Sequence, residues 1–146
     1  MRRKEFLKIC AGSCLGIVFM ESTLSGCMTQ KHVNGLLRGD YLELSLLSFV
    51  KVKQGQTTYL DNIIVRNPAL QHPICVFRLA QNDYEALLMK CTHQGTELKV
   101  YGDTLQCSAH GSEFSKDGSV TTGPATLQLR SFPITIDKEV LKISLK

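Results

Sequence analysis

The chain has 146 residues, enough for one domain and short for two. Its formal net charge is only +4, and the basic residues do not cluster after the N-terminus, so a nucleic-acid partner is not expected. No Ser–His–Asp set or paired-carboxylate site indicates that the chain is a catalyst by itself. A role as a non-catalytic subunit fits these features better than a role as an independent enzyme.

Residues 1–26 have the pattern of an export signal. Basic residues at Arg2, Arg3 and Lys4 precede a mostly apolar stretch at 9–20. As a helix this stretch would be about 18 Å long, too short for a bilayer core of about 30 Å. A buried N-terminal helix is the alternative, but helix caps are lacking. Residues 3–8 resemble a twin-arginine signal with one Lys substitution, and the general secretory route remains open.

The signal ends in Leu24-Ser25-Gly26-Cys27, which resembles the lipobox of bacterial lipoproteins. That resemblance implies that Cys27 is lipidated and becomes the first residue of the mature protein. Several acyl chains on one residue give firm membrane attachment. We therefore expect an exported protein at the periplasmic face of a bacterial membrane, with residues 27–39 as a lipid-anchored tether. Whether the inner or the outer membrane holds it stays open.

Residues 40–146 predict one all-β domain. Short runs of alternating or continuous apolar residues recur between Gly, Pro and Asp residues, and no long helical pattern follows the signal. The chain closes with a predicted hairpin whose turn is 137–139. The other predicted strands are 41–44, 62–65, 74–79, 84–89 and 127–129.

Two of the six cysteines stand close to a histidine. Cys10 and Cys14 fall in the signal, and Cys75 lies in a predicted buried strand, where it reads as a core residue. The remaining pair gives Cys91-Thr92-His93 and Cys107-Ser108-Ala109-His110. Four ligand-type residues in two tight groups favour a metal centre over a disulfide.

The segment between the two groups predicts a hairpin that brings them together. Residues 98–106 have a strand pattern interrupted by Gly102-Asp103. Gly95 and Gly111 follow the two ligand segments, where glycine allows positive φ and close approach of the backbone to a metal. A Cys2His2 zinc site is the alternative, although structural zinc usually pairs C-x2-4-C with H-x3-5-H.

The motifs Cys91-Thr92-His93-Gln94-Gly95 and 107–114 resemble the two cluster-binding loops of the Rieske family. Downstream, Gly123-Pro124-Ala125 and residues 127–134 resemble its Pro-containing third loop and closing strands. The resemblance covers about residues 40–146. It implies an all-β, antiparallel Rieske-like sandwich with a small cluster-binding subdomain at one end.

The resemblance also implies one [2Fe–2S] cluster. One iron would be held by Cys91 and Cys107, and the outer iron by His93 and His110. Neutral imidazoles in place of two thiolates raise the reduction potential, into a range of about −150 to +300 mV.

Four positions depart from, or tune, the pattern of the quinol-oxidising members. Thr96 and Ala109 stand where those members carry an additional cysteine pair, so the disulfide between the loops is not expected. Ser112 matches a serine that donates to a cluster sulfur, whereas Phe114 replaces a tyrosine that supplies another donor. Together these residues predict an intermediate potential.

The sequence therefore predicts an electron-transfer protein, anchored in the periplasm as a subunit of a respiratory-type oxidoreductase. Its redox partner would be a quinol-linked membrane complex or a molybdenum oxidoreductase. Because the additional cysteine pair is missing, a second hypothesis stays open, a ferredoxin that donates electrons to an oxygenase. A structural zinc module that binds proteins is the third.

Overall fold

The computed structural model describes residues 30–146, which form a nearly all-β domain. The predicted all-β, mainly antiparallel fold is confirmed. The signal predicted for residues 1–26 and the lipid site predicted at Cys27 lie outside the described residues. From residue 30 to residue 146, no helix is long and apolar enough to cross a membrane.

A five-stranded sheet lies between two hydrophobic cores. In chain order its strands are β1 (His32–Asn34), β6 (Asn62–Arg66), β7 (Ile74–Ala80), β8 (Asp83–Leu88) and β13 (Ser131–Phe132). Neighbours are antiparallel except β1 and β6, which are parallel. Because both faces are covered, β6 is apolar at successive positions. Ile63 and Val65 face one core, and Ile64 faces the other.

A four-stranded sheet covers one face of the five-stranded sheet. Its strands are β2 (Leu36–Arg38), β3 (Tyr41–Ser45), β14 (Ile134–Asp137) and β15 (Val140–Ser144), in the order β14-β15-β3-β2. Leu42, Leu141 and Ile143 are fully buried against the central sheet. The predicted terminal hairpin is confirmed as β14–β15. A 3₁₀ helix (Leu46–Phe49) and a two-stranded hairpin, β4 (Val50–Lys53) and β5 (Gln56–Tyr59), connect β3 to β6.

The other face is covered by a smaller sheet. It has the strands β9 (Lys99–Tyr101), β10 (Thr104–Gln106), β11 (Glu113–Ser115) and β12 (Val120–Thr122), in the order β12-β11-β10-β9. Leu105 and Phe114 pack with Phe77 and Leu87 of the central sheet. The predicted hairpin turn at Gly102 and Asp103 is confirmed. Since β9, β10 and β11 form a meander, the segments that precede β9 and join β10 to β11 meet at one end.

Two predictions about the fold are wrong. The tether was predicted to extend over residues 27–39, but residues 32–34 and 36–38 are strands that pair with β6 and β3 of the domain. Residues 127–129 form an irregular segment and no strand. There Leu129 is buried while Leu127 is 68% exposed, so the alternation reflects one buried side chain in a loop.

Candidate functional site

The site is built from two loops with the same backbone hydrogen-bond pattern. We call residues 91–96 the first loop and residues 107–112 the second loop. In each, the cysteine N–H donates to the carbonyl of the fifth following residue, at 2.8 Å in both loops. The glycine four residues after the cysteine donates back to the cysteine carbonyl, at 2.8 and 3.0 Å. Each loop is therefore a closed turn that fixes its cysteine at the base.

The glycines that close these turns have positive φ, as the sequence predicts. Gly95 has φ 78° and Gly111 has φ 80°, in the left-handed region that other residues rarely adopt. This conformation lets the chain reverse within six residues and return to the sheet. It explains why a glycine occupies the same place in both loops.

The structure brings the four predicted ligand residues together at one end of the small sheet. The thiols lie at the base, with Cys91 only 2% and Cys107 only 3% exposed. His93 and His110 lie at the surface, and their ring centroids are 5.0 Å apart in an edge-to-face arrangement of 84°. The site thus has two sulfur donors on the inside and two nitrogen donors on the outside.

The surroundings of Cys107 favour its thiolate. Burial by itself raises the pKa of the thiol, but hydrogen bonds outweigh this effect and lower the pKa from its ordinary value. The bonds come from the backbone of Ala109 and His110 and from the side chains of Cys91 and Thr96. A thiolate is the form that binds metal, so the loops favour metal binding at this sulfur.

The donor set fits a [2Fe–2S] cluster. The two buried thiols can bind one iron of the pair, and the two surface imidazoles can bind the other. Among residues 30–146, no three His, Cys, Asp or Glu side chains converge as ligands of a single ion. A two-iron cluster does not require such convergence, because each iron takes only two side-chain ligands.

A third loop, residues 123–130, is hydrogen-bonded to both of the others. The Ala125 N–H donates to Ser112 Oγ at 3.0 Å. The Thr92 hydroxyl donates to the Leu127 carbonyl at 2.6 Å. The segment resembling the third Rieske loop therefore lies beside the ligand loops, as the sequence predicts.

Ser112, the last residue of the second loop, and Phe114 in β11 are both fully buried. The Ser112 oxygen accepts the bond from Ala125, so its own proton is available for a further hydrogen bond. Phe114 belongs to the same apolar cluster as Cys91 and Cys107. It shields the thiols from water, and it adds no hydrogen-bond donor.

The remaining cysteine and histidines lie elsewhere. Cys75 is fully buried in β7, as predicted, and burial strongly raises the pKa of its thiol. His32 is exposed. His72 is half-buried, and its Nδ1 atom is inaccessible and has no hydrogen-bond partner among the described residues.

Sequence reasoning missed the residues that shape the surface beside His93. Thr92 stands between two ligands and could have been noticed as a possible loop donor. Lys90 directly precedes the first loop and Arg130 ends the third loop, and both are exposed. Lys90, Leu127 and Arg130 line one groove. The local sequence does not indicate this, because Lys90 and Arg130 are 40 residues apart in the chain.

Known proteins resemble this chain over the same region. The iron-sulfur subunit 1 of the cytochrome b6-f complex from Synechocystis sp. PCC 6803 is 34% identical over 64 residues, which are 42% of this chain and 36% of that protein. The matched region thus spans about a third of the length of this relative.

Solved structures share the fold. The plasma membrane Rieske protein PetC3 from Synechocystis PCC 6803 superposes with a TM-score of 0.50 at 22% identity, over 57% of this chain and 86% of that one. A structure of the complex of reduced oxygenase and oxidized ferredoxin in carbazole 1,9a-dioxygenase gives 0.54 at 18% identity, over 75% and 96%. At these identities the likeness concerns the fold alone.

A family model covers most of the domain. Residues 50–133 match the model of the Rieske [2Fe-2S] domain, and this range includes both ligand loops and the third loop. The match spans more than half of the chain. The chain therefore belongs to the Rieske [2Fe-2S] family, whose members bind a [2Fe–2S] cluster and transfer electrons.

Proposed function

We propose that Cys91 and Cys107 hold the inner iron of the cluster and that His93 and His110 hold the outer iron. The single observation that carries this assignment is the pairing of two closed loops with buried thiols below and adjacent imidazoles above, 5.0 Å apart. The bound cluster supplies one-electron chemistry. Burial of the thiols excludes water from the sulfur side, and exposure of the imidazoles gives the electron a path to a partner.

Ser112 acts as a tuning residue in this proposal. Because its oxygen accepts a hydrogen bond from the Ala125 N–H, the hydroxyl proton of Ser112 is free to be donated to a sulfur of the cluster that the two loops would hold. A donor to sulfur stabilises the more negative reduced state and raises the potential. Phe114 offers no second donor, so the midpoint is intermediate within the family range.

The protein works at the periplasmic face of a membrane, as an anchored subunit or carrier of a respiratory-type oxidoreductase. The basic and apolar pattern of residues 1–26 and the lipobox-like segment ending at Cys27 support export and lipidation. The acyl chains of a lipidated Cys27 are the membrane anchor.

The described residues limit how such an anchored domain stands on the bilayer. Gln30 lies three residues after Cys27, so the chain between them spans at most about 11 Å. Because β1 is parallel to β6, Gln30 lies at the end of β6 where Asn62 donates to the Gly102 carbonyl. About 20 Å of near-extended chain separates Gly102 from Thr96 in the first loop.

A lipid at Cys27 would therefore hold the domain by the end opposite the cluster. The imidazoles of His93 and His110 would face the aqueous phase, since 11 Å of chain cannot reach around the domain. This placement favours a partner whose electron-entry site stands clear of the bilayer, such as a molybdenum oxidoreductase, over a quinol site at the membrane surface.

The alternative function is a Rieske ferredoxin that feeds an oxygenase. Thr96 and Ala109, in place of the additional cysteine pair, favour it. The export signal and Ser112 oppose it. A midpoint potential below zero in the full-length protein, together with recovery in the cytosol, would support this alternative.

The first experiment tests the ligands. Each of Cys91→Ser, His93→Ala, Cys107→Ser and His110→Ala, expressed in a host that assembles iron–sulfur clusters, is expected to lose iron and the EPR signal of the dithionite-reduced protein. Cys75→Ala and His32→Ala are the matched controls and should keep both. Zinc in place of iron in the wild-type protein would contradict the assignment.

The second experiment tests the location. Wild-type protein should fractionate with membranes, incorporate labelled palmitate and be released only by detergent. Cys27→Ala should remain unlabelled and appear in the soluble fraction with its cluster intact. Equal membrane association of both proteins would disprove the lipid anchor without affecting the cluster assignment.

A further inference from the structure

A groove lies beside His93 and shares the residues of the first loop with the cluster site. It has a volume of about 440 Å³ and lies between the first and third loops. We call it the His93 groove, and its principal lining residues are Leu88, Lys90, Thr92, His93, Leu127 and Arg130. Since His93 is one wall, anything that fills the groove touches the outer end of the electron path.

The groove has an apolar contact point that the domain itself leaves uncovered. Leu127 is 68% exposed, the highest value among the large hydrophobic side chains of the described residues. Its backbone is held in place, because the Thr92 hydroxyl donates to its carbonyl at 2.6 Å. A fixed, exposed leucine next to a redox centre is a suitable centre for a small interface.

Two cations flank this leucine without acidic partners. Lys90 and Arg130 are exposed, and within residues 30–146 neither forms an ion pair. The Arg130 guanidinium is fixed, because it lies 4.6 Å from the centre of the Phe132 ring and donates to the Leu145 carbonyl at 3.0 Å. Both charges are thus available to an incoming group.

Nearby acidic residues do not neutralise the groove. Glu97 forms an ion pair with Arg66 at 2.6 Å, and Glu113 is half-buried and accepts a hydrogen bond from Thr122. Further acidic groups, Asp83 and Glu85, lie in the half of β8 that is remote from the groove, since β8 runs from Asp83 toward Leu88.

One acidic group shows how these carboxylates are gathered away from the groove. The pKa of Glu85 is raised first by burial and then by the charges of Asp117 and Asp83, so three acidic side chains lie close together. Positive charge is therefore found beside His93, and negative charge is concentrated elsewhere on the domain. Such asymmetry orients a domain in the field of a charged partner.

We propose that the His93 groove is the docking surface for the redox partner, and that this partner is a protein with an apolar contact for Leu127 and carboxylates facing Lys90 and Arg130. The proposal rests on the proposed function, because it takes His93 as the electron exit. Complementary charges would speed encounter and set the orientation, while the leucine contact would lengthen the life of the complex.

Small redox ions test the charge of this surface. The dithionite-reduced protein, freed of reductant, is oxidised by anionic ferricyanide or by cationic hexaamminecobalt(III) across a range of salt concentrations. The ferricyanide rate should fall as salt rises, and the cobalt rate should not. Lys90→Gln and Arg130→Gln should each slow ferricyanide oxidation about twofold to fivefold at low salt and match wild type at high salt. Lys53→Gln, in the remote β4–β5 hairpin, is the control.

A protein donor tests the leucine. Reduced plant-type [2Fe–2S] ferredoxin, an acidic protein, should reduce the oxidised domain with saturation kinetics. Leu127→Ser should weaken that saturation several-fold and leave the rates with both small ions unchanged. A rate that is unaffected by Leu127→Ser, Lys90→Gln and Arg130→Gln would overturn the docking proposal.

Other occupants give different results. Binding of the Cys27→Ala chain to vesicles of equal parts phosphatidylglycerol and phosphatidylcholine, lost in both basic variants, would assign the groove to lipid and overturn the proposal. Each variant is first checked for the EPR signal and midpoint of wild type. Loss of the signal in the wild-type protein would defeat the proposed function, whereas an intact signal with salt-independent rates would defeat only the docking surface.

Discussion

The backbone N–H of Ala125 donates a hydrogen bond of 3.0 Å to the hydroxyl oxygen of Ser112, and Ser112 is fully buried. This bond joins the third loop to the second loop. It also fixes the oxygen of the Ser112 side chain, and the hydroxyl proton stays free to be donated to another acceptor. This one serine thus joins the second and third loops, and in the function proposed above it is also the residue that tunes the cluster.

Ser112→Ala should lower the midpoint potential, because the reduced state loses a donor to sulfur. A hydrogen bond to a charged group contributes about 1.5–3 kcal/mol, and about 1.4 kcal/mol corresponds to 59 mV for one electron. We expect a decrease on the order of 60–130 mV in an EPR-monitored titration. Ser108→Ala, an exposed serine of the same loop, should leave the potential unchanged.

The same substitution should also destabilise the domain. The Ala125 N–H would be left without its acceptor, at a cost of about 1–3 kcal/mol in the free energy of unfolding. A normal potential in Ser112→Ala, together with reduced stability, would mean that the serine only holds the third loop.

Phe114→Tyr should raise the midpoint potential. Phe114 lies in the apolar cluster that includes both ligand cysteines, and in the quinol-oxidising members that the sequence resembles a tyrosine donor occupies this position. A phenolic hydroxyl at the ring edge would add a donor to the reduced site. Redox titration of Phe114→Tyr beside Phe132→Tyr, a change in the other core, measures the effect.

If the Tyr hydroxyl finds no acceptor, the substitution changes the stability of the domain and not its midpoint potential. The potential would stay at the wild-type value, while burial of an unpaired hydroxyl would cost about 1–3 kcal/mol of stability. That combination would contradict the assignment of Phe114 to the donor position.

Short motifs with fixed chemistry could be predicted from the sequence. The two Cys–His groups predicted the position of the site, and the glycines after them predicted the positive φ that Gly95 and Gly111 have. The turn at Gly102 and Asp103 was predictable because glycine can adopt the φ of 57° that it has there. In such places a local rule and the global fold require the same conformation.

Features that depend on distant neighbours could not be predicted. Strand β1 (His32–Asn34) has no apolar alternation that would predict a strand. It forms because this segment pairs with β6, where the Ile64 N–H donates to the Lys31 carbonyl. Leu127 and Leu129 alternate in burial because Leu129 alone packs into the core, near Gly118 and Leu87. The His93 groove likewise arises only when the first and third loops meet.

Cys75 should make stability fall at high pH. Burial raises the pKa of this thiol in the folded state above its ordinary value of about 8.5. The unfolded chain therefore releases the proton first, so the contribution is fully present below about pH 8.5 and declines as the pH rises above it, by up to about 1.4 kcal/mol per pH unit.

Denaturant unfolding of wild type and Cys75→Ala between neutral and alkaline pH measures this contribution, and only the difference between them belongs to Cys75. The thiol should also resist iodoacetamide in the folded protein and react in urea. Rapid labelling of Cys75 under native conditions would show that the strand opens readily.

Thr92→Val should loosen the third loop without removing the cluster. The Thr92 hydroxyl is the donor that ties the first loop to Leu127, and valine keeps the shape while it deletes the donor. We expect a loss of about 0.5–1.5 kcal/mol and faster amide hydrogen exchange at Ala125 and Leu129, whose N–H groups are bonded to Ser112 and Gly118.

Thr121→Val, an exposed change in β12, is the control for the loss of a threonine hydroxyl and should not alter exchange in the third loop. Because Leu127 belongs to the His93 groove, Thr92→Val should also weaken saturation by the ferredoxin donor, although the substitution does not change the charge of the protein. Faster exchange with undiminished saturation would mean that the partner does not contact Leu127, since a mobile leucine must lose entropy on binding.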